Sequence, residues 1–151
     1  MSEEEIIEKF ERENITLASI GKRAIAYSID EILVSVLFMV LYTSSYPPTN
    51  DVEQTINMIS NLIIYVILLK IIYQAFFVWM YGATLGKIFM KIRVVSLYDI
   101  EKPSLLHSIL RATVRILSEN IFYLGFLWAF LNPKKETWHD KVAGTLVINA
   151  Y

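Results

Sequence analysis

Ionisable side chains inside apolar stretches are where this sequence has most chemistry to offer, because each is costly in hydrocarbon unless paired, hydrated or neutralised. Asp30 follows Arg23 by seven residues within one apolar run. Seven residues is almost two helical turns, so the two side chains point the same way, roughly 10 Å apart along the axis. Arg23 can stay at the head-group level. Asp30 lies well inside, where a carboxylate must find a cation, bind an ion or take up a proton. Glu31 points about 100° away around the same helix. Lys70 stands mid-way along a second apolar run, with Gln74 one turn further on. At about 1.5 Å per residue from each end, Gln74 falls at nearly the depth of Asp30 and Lys70 a little deeper. Lys70 can therefore pair with Asp30 or with Glu31 in an antiparallel helix pair. Asp30, Glu31, Lys70 and Gln74 form the candidate site for an ion, a proton or a solute. The plainer reading is a folding pin that joins two helices and transports nothing.

Two further groups carry charge. His107, Arg111, Arg115 and Glu119 recur every four residues and share one helical face. The arginines can bind lipid head-group phosphates or an anionic solute, or Arg111 or Arg115 can pair with Asp140 or Asp30 and hold the bundle closed. His139-Asp140, within Trp138-His139-Asp140-Lys141, invites a catalytic or metal reading. Only two histidines exist, no cysteine is present, and neither an HExxH spacing nor a nucleophile-elbow motif occurs. Asp140 is better read as an acceptor for a neighbouring cation, and Trp138 as an interfacial anchor. The run Gly82–Lys87 suggests a phosphate loop, but three residues separate its glycines and Ile88 follows the lysine, so it is not a Walker A motif. Its G-x-x-x-G spacing can serve close helix approach. No catalytic residue, metal or cofactor is expected.

The elements that must position these residues follow from hydropathy. Of 151 residues, 55% are hydrophobic and 19% charged, against about 25% charged in an ordinary soluble domain; mean hydropathy is +0.45. Apolar segments over 24–42 and 61–81 match the hydrocarbon thickness and predict two transmembrane helices. Residues 44–60 between them are polar, with Pro47 and Pro48 and no Lys or Arg. The positive-inside rule puts Lys22 and Arg23 in the cytoplasm, that loop outside, and Lys87, Lys91 and Arg93 back inside. The third apolar region is less regular. Residues 105–119 read as an interfacial amphipathic helix, and 121–131 are apolar but too short to span alone. Lys134, Lys135 and Lys141 then argue for a cytoplasmic C-terminus, which makes 104–131 a surface helix plus re-entrant segment or a hairpin turning near Gly125. If 115–131 instead span as one helix, the tail lies outside.

Ile92–Leu97 and Thr145–Ile148 are rich in β-branched residues and predict a short cytoplasmic β-ribbon. Residues 1–20 form an acidic segment in which Ser2 and Glu5 have capping-box spacing and Ile6, Phe10 and Leu17 share a face, predicting an amphipathic helix at the membrane surface. The membrane domain is expected over 21–151. A net charge of -1 offers no global basic field, so no nucleic-acid partner is expected.

Arg23-Ala24-Ile25-Ala26-Tyr27-Ser28-Ile29-Asp30 resembles the opening of RDD-family domains. Gly82–Lys87 followed by Ile92-Arg93-Val94-Val95, then Ser108-Ile109-Leu110-Arg111, then His139-Asp140-Lys141-Val142-Ala143-Gly144-Thr145, resemble that family's later blocks in order. The resemblance covers about 20–149, and the name-giving Arg, Asp and Asp would be Arg23, Asp30 and Asp140. It implies an integral protein of the cytoplasmic (inner) membrane with a role in transport, some members being linked to sodium/proton antiport. The expectation is thus an all-α membrane protein with two firm spans, a third re-entrant, hairpin or spanning region, amphipathic surface helices and a short β-ribbon. It would act on a small ion or solute as a homo-oligomer, with Asp30 binding a proton or cation and Arg23 with Asp140 forming a gate. The rival is a non-transporting scaffold or accessory subunit that binds a partner protein or lipid.

Overall fold

The computed structural model describes residues 2–121 and 123–150. Seven helices and two strands follow in the order α1 (Glu3–Arg12), α2 (Ile20–Ser45), α3 (Val52–Tyr81), α4 (Leu85–Phe89), β1 (Ile92–Ser96), α5 (Leu105–Asn120), α6 (Leu124–Leu131), α7 (Trp138–Ala143) and β2 (Thr145–Asn149). α2 and α3 are long and apolar enough to cross a bilayer. Along them Ile32, Val36, Met39, Ile63, Ile64 and Ile72 stand exposed, a surface that only lipid or another apolar helix can cover. The chain is an integral membrane protein.

Both spans outrun their apolar cores. Thr43 and Ser44 stay helical by donating their hydroxyls to the Met39 and Val40 carbonyls, which satisfies them without water. α3 begins at Val52, well inside the stretch that composition marks as loop. Asp51 caps it by accepting from the Glu53 amide at 3.0 Å, and the Thr55 and Ser60 hydroxyls bond back one turn. The loop between the two spans shrinks to 46–51.

α5 and α6 are bent by 102° at a break over 121–123; Phe122, within the apolar segment 121–131, lies outside the described residues. A straight span over 115–131 is therefore not formed. Gly125 allows the fold-back: a Cβ there would drive into the Ser118 hydroxyl and meet the Trp138 Cβ at 3.1 Å.

α5 is amphipathic, but its orientation is inverted relative to an interfacial helix. Leu105, Leu106, Ile109, Leu110 and Leu117 face outward while Arg111 and Arg115 are buried. Periodicity defines a polar stripe without saying which side meets solvent. Here the stripe turns into the bundle, against α3 and α7.

β1 and β2 pair antiparallel, Ile92 opposite Asn149 through Ser96 opposite Thr145. The chain entering α2 joins them: the Ala18 amide donates to the Val147 carbonyl at 3.0 Å and the Asn149 amide to the Thr16 carbonyl at 2.9 Å. α1 has its Ser2–Glu5 capping box, yet its apolar face does not lie wholly on the membrane surface, because Phe10 packs with Ile15 and Leu17 on Val95, Ile100, Leu146 and Ile148 of the ribbon region.

Candidate functional site

Three polar clusters occupy the interior where α2, α3, α4, α5 and α7 meet. The first is built on Asp30, 1% exposed. Its carboxylate accepts from the Tyr73 hydroxyl at 2.7 Å, the Thr84 hydroxyl at 2.6 Å and the Gly86 amide at 2.9 Å. The Gly82–Lys87 run that superficially resembles a phosphate loop thus spends its free N–H on a carboxylate from α2. The two glycines divide the work. Gly82 ends α3 in the left-handed conformation at φ 70, which glycine adopts at no steric cost. Gly86 lets α4 lie on α2 at Ala26.

The second cluster answers the depth argument for Lys70. Its ammonium lies 2.7 Å from Glu31 and 3.1 Å from Glu119, not on Asp30. Arg115 closes the same group at 3.5 Å from Glu31 and 3.4 Å from Glu119, with its guanidinium 4.6 Å from the centre of the Tyr27 ring. Gln74 is buried beside them and lines a small cavity with Asp30, Glu31 and Lys70.

The third cluster centres on Asp140, fully buried in α7. One carboxylate oxygen takes the Arg111 Nε and Nη2 at 3.0 and 2.6 Å. The other takes Arg23 and the Thr137 hydroxyl and amide. Burial pushes this acid up, but Arg23 and Arg111 outweigh it and hold the carboxyl well below the usual range. His139 sits in the same place with the opposite balance. Burial pushes its pKa well below the ordinary histidine value against the pull of Asp140, so it is neutral, and its Nδ1 has no partner among the described residues. No group of three His, Asp or Glu that could hold a metal occurs among the described residues. His107, at the start of the stripe, bonds only locally, 2.6 Å from the Ser104 hydroxyl. Trp138 is half-buried beside Gly125.

A cavity of about 260 Å³ opens between these clusters. Arg23, Asp30, Lys87, Arg111, Arg115 and His139 contribute its polar wall, and Ala24, Phe126, Ala129 and Phe130 an apolar one. Lys87 is only 8% exposed, whereas Lys91 and Arg93 remain exposed. Burial, reinforced by Arg111 and Arg115, pushes the Lys87 ammonium well below the lysine range.

Sequence reasoning missed Tyr73, Thr84, Gly86 and Lys87 as participants. Tyr73 was reachable, since it stands three residues after Lys70 and so on a neighbouring face. Thr84 carries no signal of its own, because a neutral donor in a short apolar-flanked turn looks like ordinary punctuation, and the G-x-x-x-G spacing marked Gly86 for close approach but not as a donor to Asp30.

The RDD family model matches residues 17–144. The chain is similar to an uncharacterized protein of Rickettsia prowazekii (strain Madrid E), 33% identical over 73 residues. That alignment covers 48% of this chain and 40% of the relative's length. No solved structure matches.

Proposed function

This chain belongs to the RDD family, and on that premise we propose that it moves a small ion or solute across the bilayer as a homo-oligomer. The observation that carries the reading is the cavity itself: a charged chamber of about 260 Å³ inside an otherwise apolar helical assembly. Ionisable groups are retained in membrane interiors chiefly along substrate and ion paths. Two spans and a bent pair cannot enclose a pathway alone. α2 and α3 leave between them a cleft of about 520 Å³ lined by Phe38, Tyr42, Leu62, Tyr65 and Leu69, where another apolar helix can complete the wall.

In this reading Arg23, Asp140 and Arg111 are the gate. Asp30, with three donors already on its carboxylate, acts as the hinge pin between α2 and α4 and not as a naked cation ligand. Glu31, Lys70, Glu119 and Arg115 are the exchangeable part, since each partner has an alternative within reach. The test is flux of sodium, protons, chloride and phosphate in proteoliposomes, wild type beside Ser28→Trp. Ser28 is exposed and lines the cavity without joining any ion pair. The bulky variant should melt like wild type and pass at least about tenfold less solute, a barrier change of about 1.4 kcal/mol. Absence of flux in the wild type would favour the scaffold reading, to which the fully paired Asp140 cluster equally lends itself.

We place residues 16–18, β1 and β2 together in the cytoplasm, with loop 46–51 outside and Trp138 as an interfacial anchor. Direct pairing of Leu17 with Ile148 and of β1 with β2 supports one side for all three, so the α5–α6 pair must enter and return. The chain has no cysteine, so single reporters have no background. In intact cells an impermeant maleimide should label Thr49→Cys and spare Asp99→Cys until the membrane is opened. The reverse pattern would invert the topology.

A further inference from the structure

Among the described residues Lys87 is the buried cation that makes no ion pair; the carboxylate that acts on it, Asp30, is already spent on other donors. Arg23 and Arg111 share Asp140; Lys70 and Arg115 share Glu31 and Glu119; Asp30 is held by neutral donors. Lys87, more than nine-tenths buried, makes no hydrogen bond or ion pair among the described residues, and it lines the cavity. A buried, unpartnered ammonium is among the costliest groups a protein can keep. Arg111 and Arg115 line the same chamber, and their Nη1 groups have no acceptor among the described residues. The chamber therefore presents unspent cationic donors beside one carboxylate, Asp30, whose oxygens already accept three bonds, with an aromatic wall at Phe126 and Phe130.

We infer that this cavity is an anion-binding site for a phosphate group, with Lys87 its principal ligand and Arg111 and Arg115 its supporting donors. Guanidinium forks and a lysine point charge together suit a phosphate. The group can belong to a lipid head group, whose chain would lie along Phe126 and Phe130, or to a free phosphate. Binding would also keep the proton on Lys87, since burial and the two arginines disfavour its charge in the empty site. The inference does not require that anything cross the membrane, and it is read without flux.

The experiment is thermal unfolding of the whole chain, delipidated in a neutral maltoside detergent and followed by its tryptophan fluorescence. Inorganic phosphate is titrated against chloride at equal ionic strength, and phosphatidylglycerol in mixed micelles against phosphatidylcholine. Wild type should gain melting temperature saturably with phosphate, with phosphatidylglycerol, or with both; a response to the lipid alone identifies a head-group site, and one to phosphate alone a soluble ligand. Lys87→Met should melt at or above wild type without ligand, since it removes a buried amine that has no hydrogen-bond partner among the described residues, and should bind at least tenfold more weakly. Lys87→Arg should retain binding and Lys87→Gln lose it, which keeps the question decidable if the methionine variant misfolds. Equal dissociation constants in wild type and the charge-removing variants, or no stabilisation beyond the chloride and phosphatidylcholine controls, would overturn the site.

Discussion

Asp140→Ala is expected to leave little folded protein. The carboxylate is the common acceptor for Arg23, Arg111 and Thr137, so its loss strands a guanidinium at Arg111 that is 3% exposed. Breaking a buried pair by deleting one partner costs about 3–5 kcal/mol, because the remaining charge has nowhere to go. That is a large part of an ordinary folding free energy of about 5–15 kcal/mol. α7 would suffer as well, since Asp140 also closes its capping box with Thr137. Asp140→Asn keeps an acceptor and a similar shape, and should fall between the alanine variant and wild type. The reading is the yield of monodisperse protein on gel filtration together with the melting midpoint. A wild-type midpoint for Asp140→Ala would mean the arginines find other acceptors and the cluster is not a structural centre.

Gly86→Ala should be nearly as damaging, through packing and not charge. The added Cβ would fall far inside contact with the Ala26 carbonyl oxygen and 2.9 Å from the Asp30 Oδ1. Backbone cannot swing aside like a side chain, so α4 must lift from α2. Lifting breaks the Gly86 and Thr84 bonds to Asp30 together. Overpacking of this kind costs about 3 kcal/mol. Gly21→Ala is the control, because nothing lies within 4 Å of a Cβ there, and alanine in a helix gains about 0.5–1 kcal/mol over glycine. The two alanine variants should shift the melting midpoint in opposite directions. Equal midpoints would show that the α2–α4 contact yields without cost.

Both spans and the ribbon were legible because each rests on a one-dimensional signal, hydropathy over a bilayer's thickness or a run of β-branched residues. Depth was legible too. Counting along the helices brought Lys70 near Asp30 and Glu31, and Lys70 does meet Glu31 at 2.7 Å. The choice between those neighbours depends on how α2 and α3 rotate and diverge, and that is set by α4 and α5 wedged beside them. Neither short helix announces its packing partner in its own sequence. The polar stripe of α5 left an interfacial and a pairing reading open, and the pair of Arg111 with Asp140 is formed. In lipid the apolar face belongs outside, so a stripe of arginines marks the protein interior where in water it would mark the surface. Lys87 entered the sequence reading only as a charge that marks one side of the membrane, a rule that says nothing of burial. Its burial follows from Gly86, one residue earlier, drawing α4 onto α2.

The ribbon also sets an order of events during synthesis. β1 and the Thr16–Ala18 segment are made first, but their partner β2 follows only after α5, α6 and α7. Until β2 leaves the ribosome, Val94 and Val95 have no strand beside them, and Ala18 and Arg93 offer unpaired backbone groups. Such an open edge invites pairing with other chains. The whole of α5, α6 and α7 must therefore be made before the ribbon can close, and a stall between α6 and β2 would leave a half-made protein with its adhesive strand exposed.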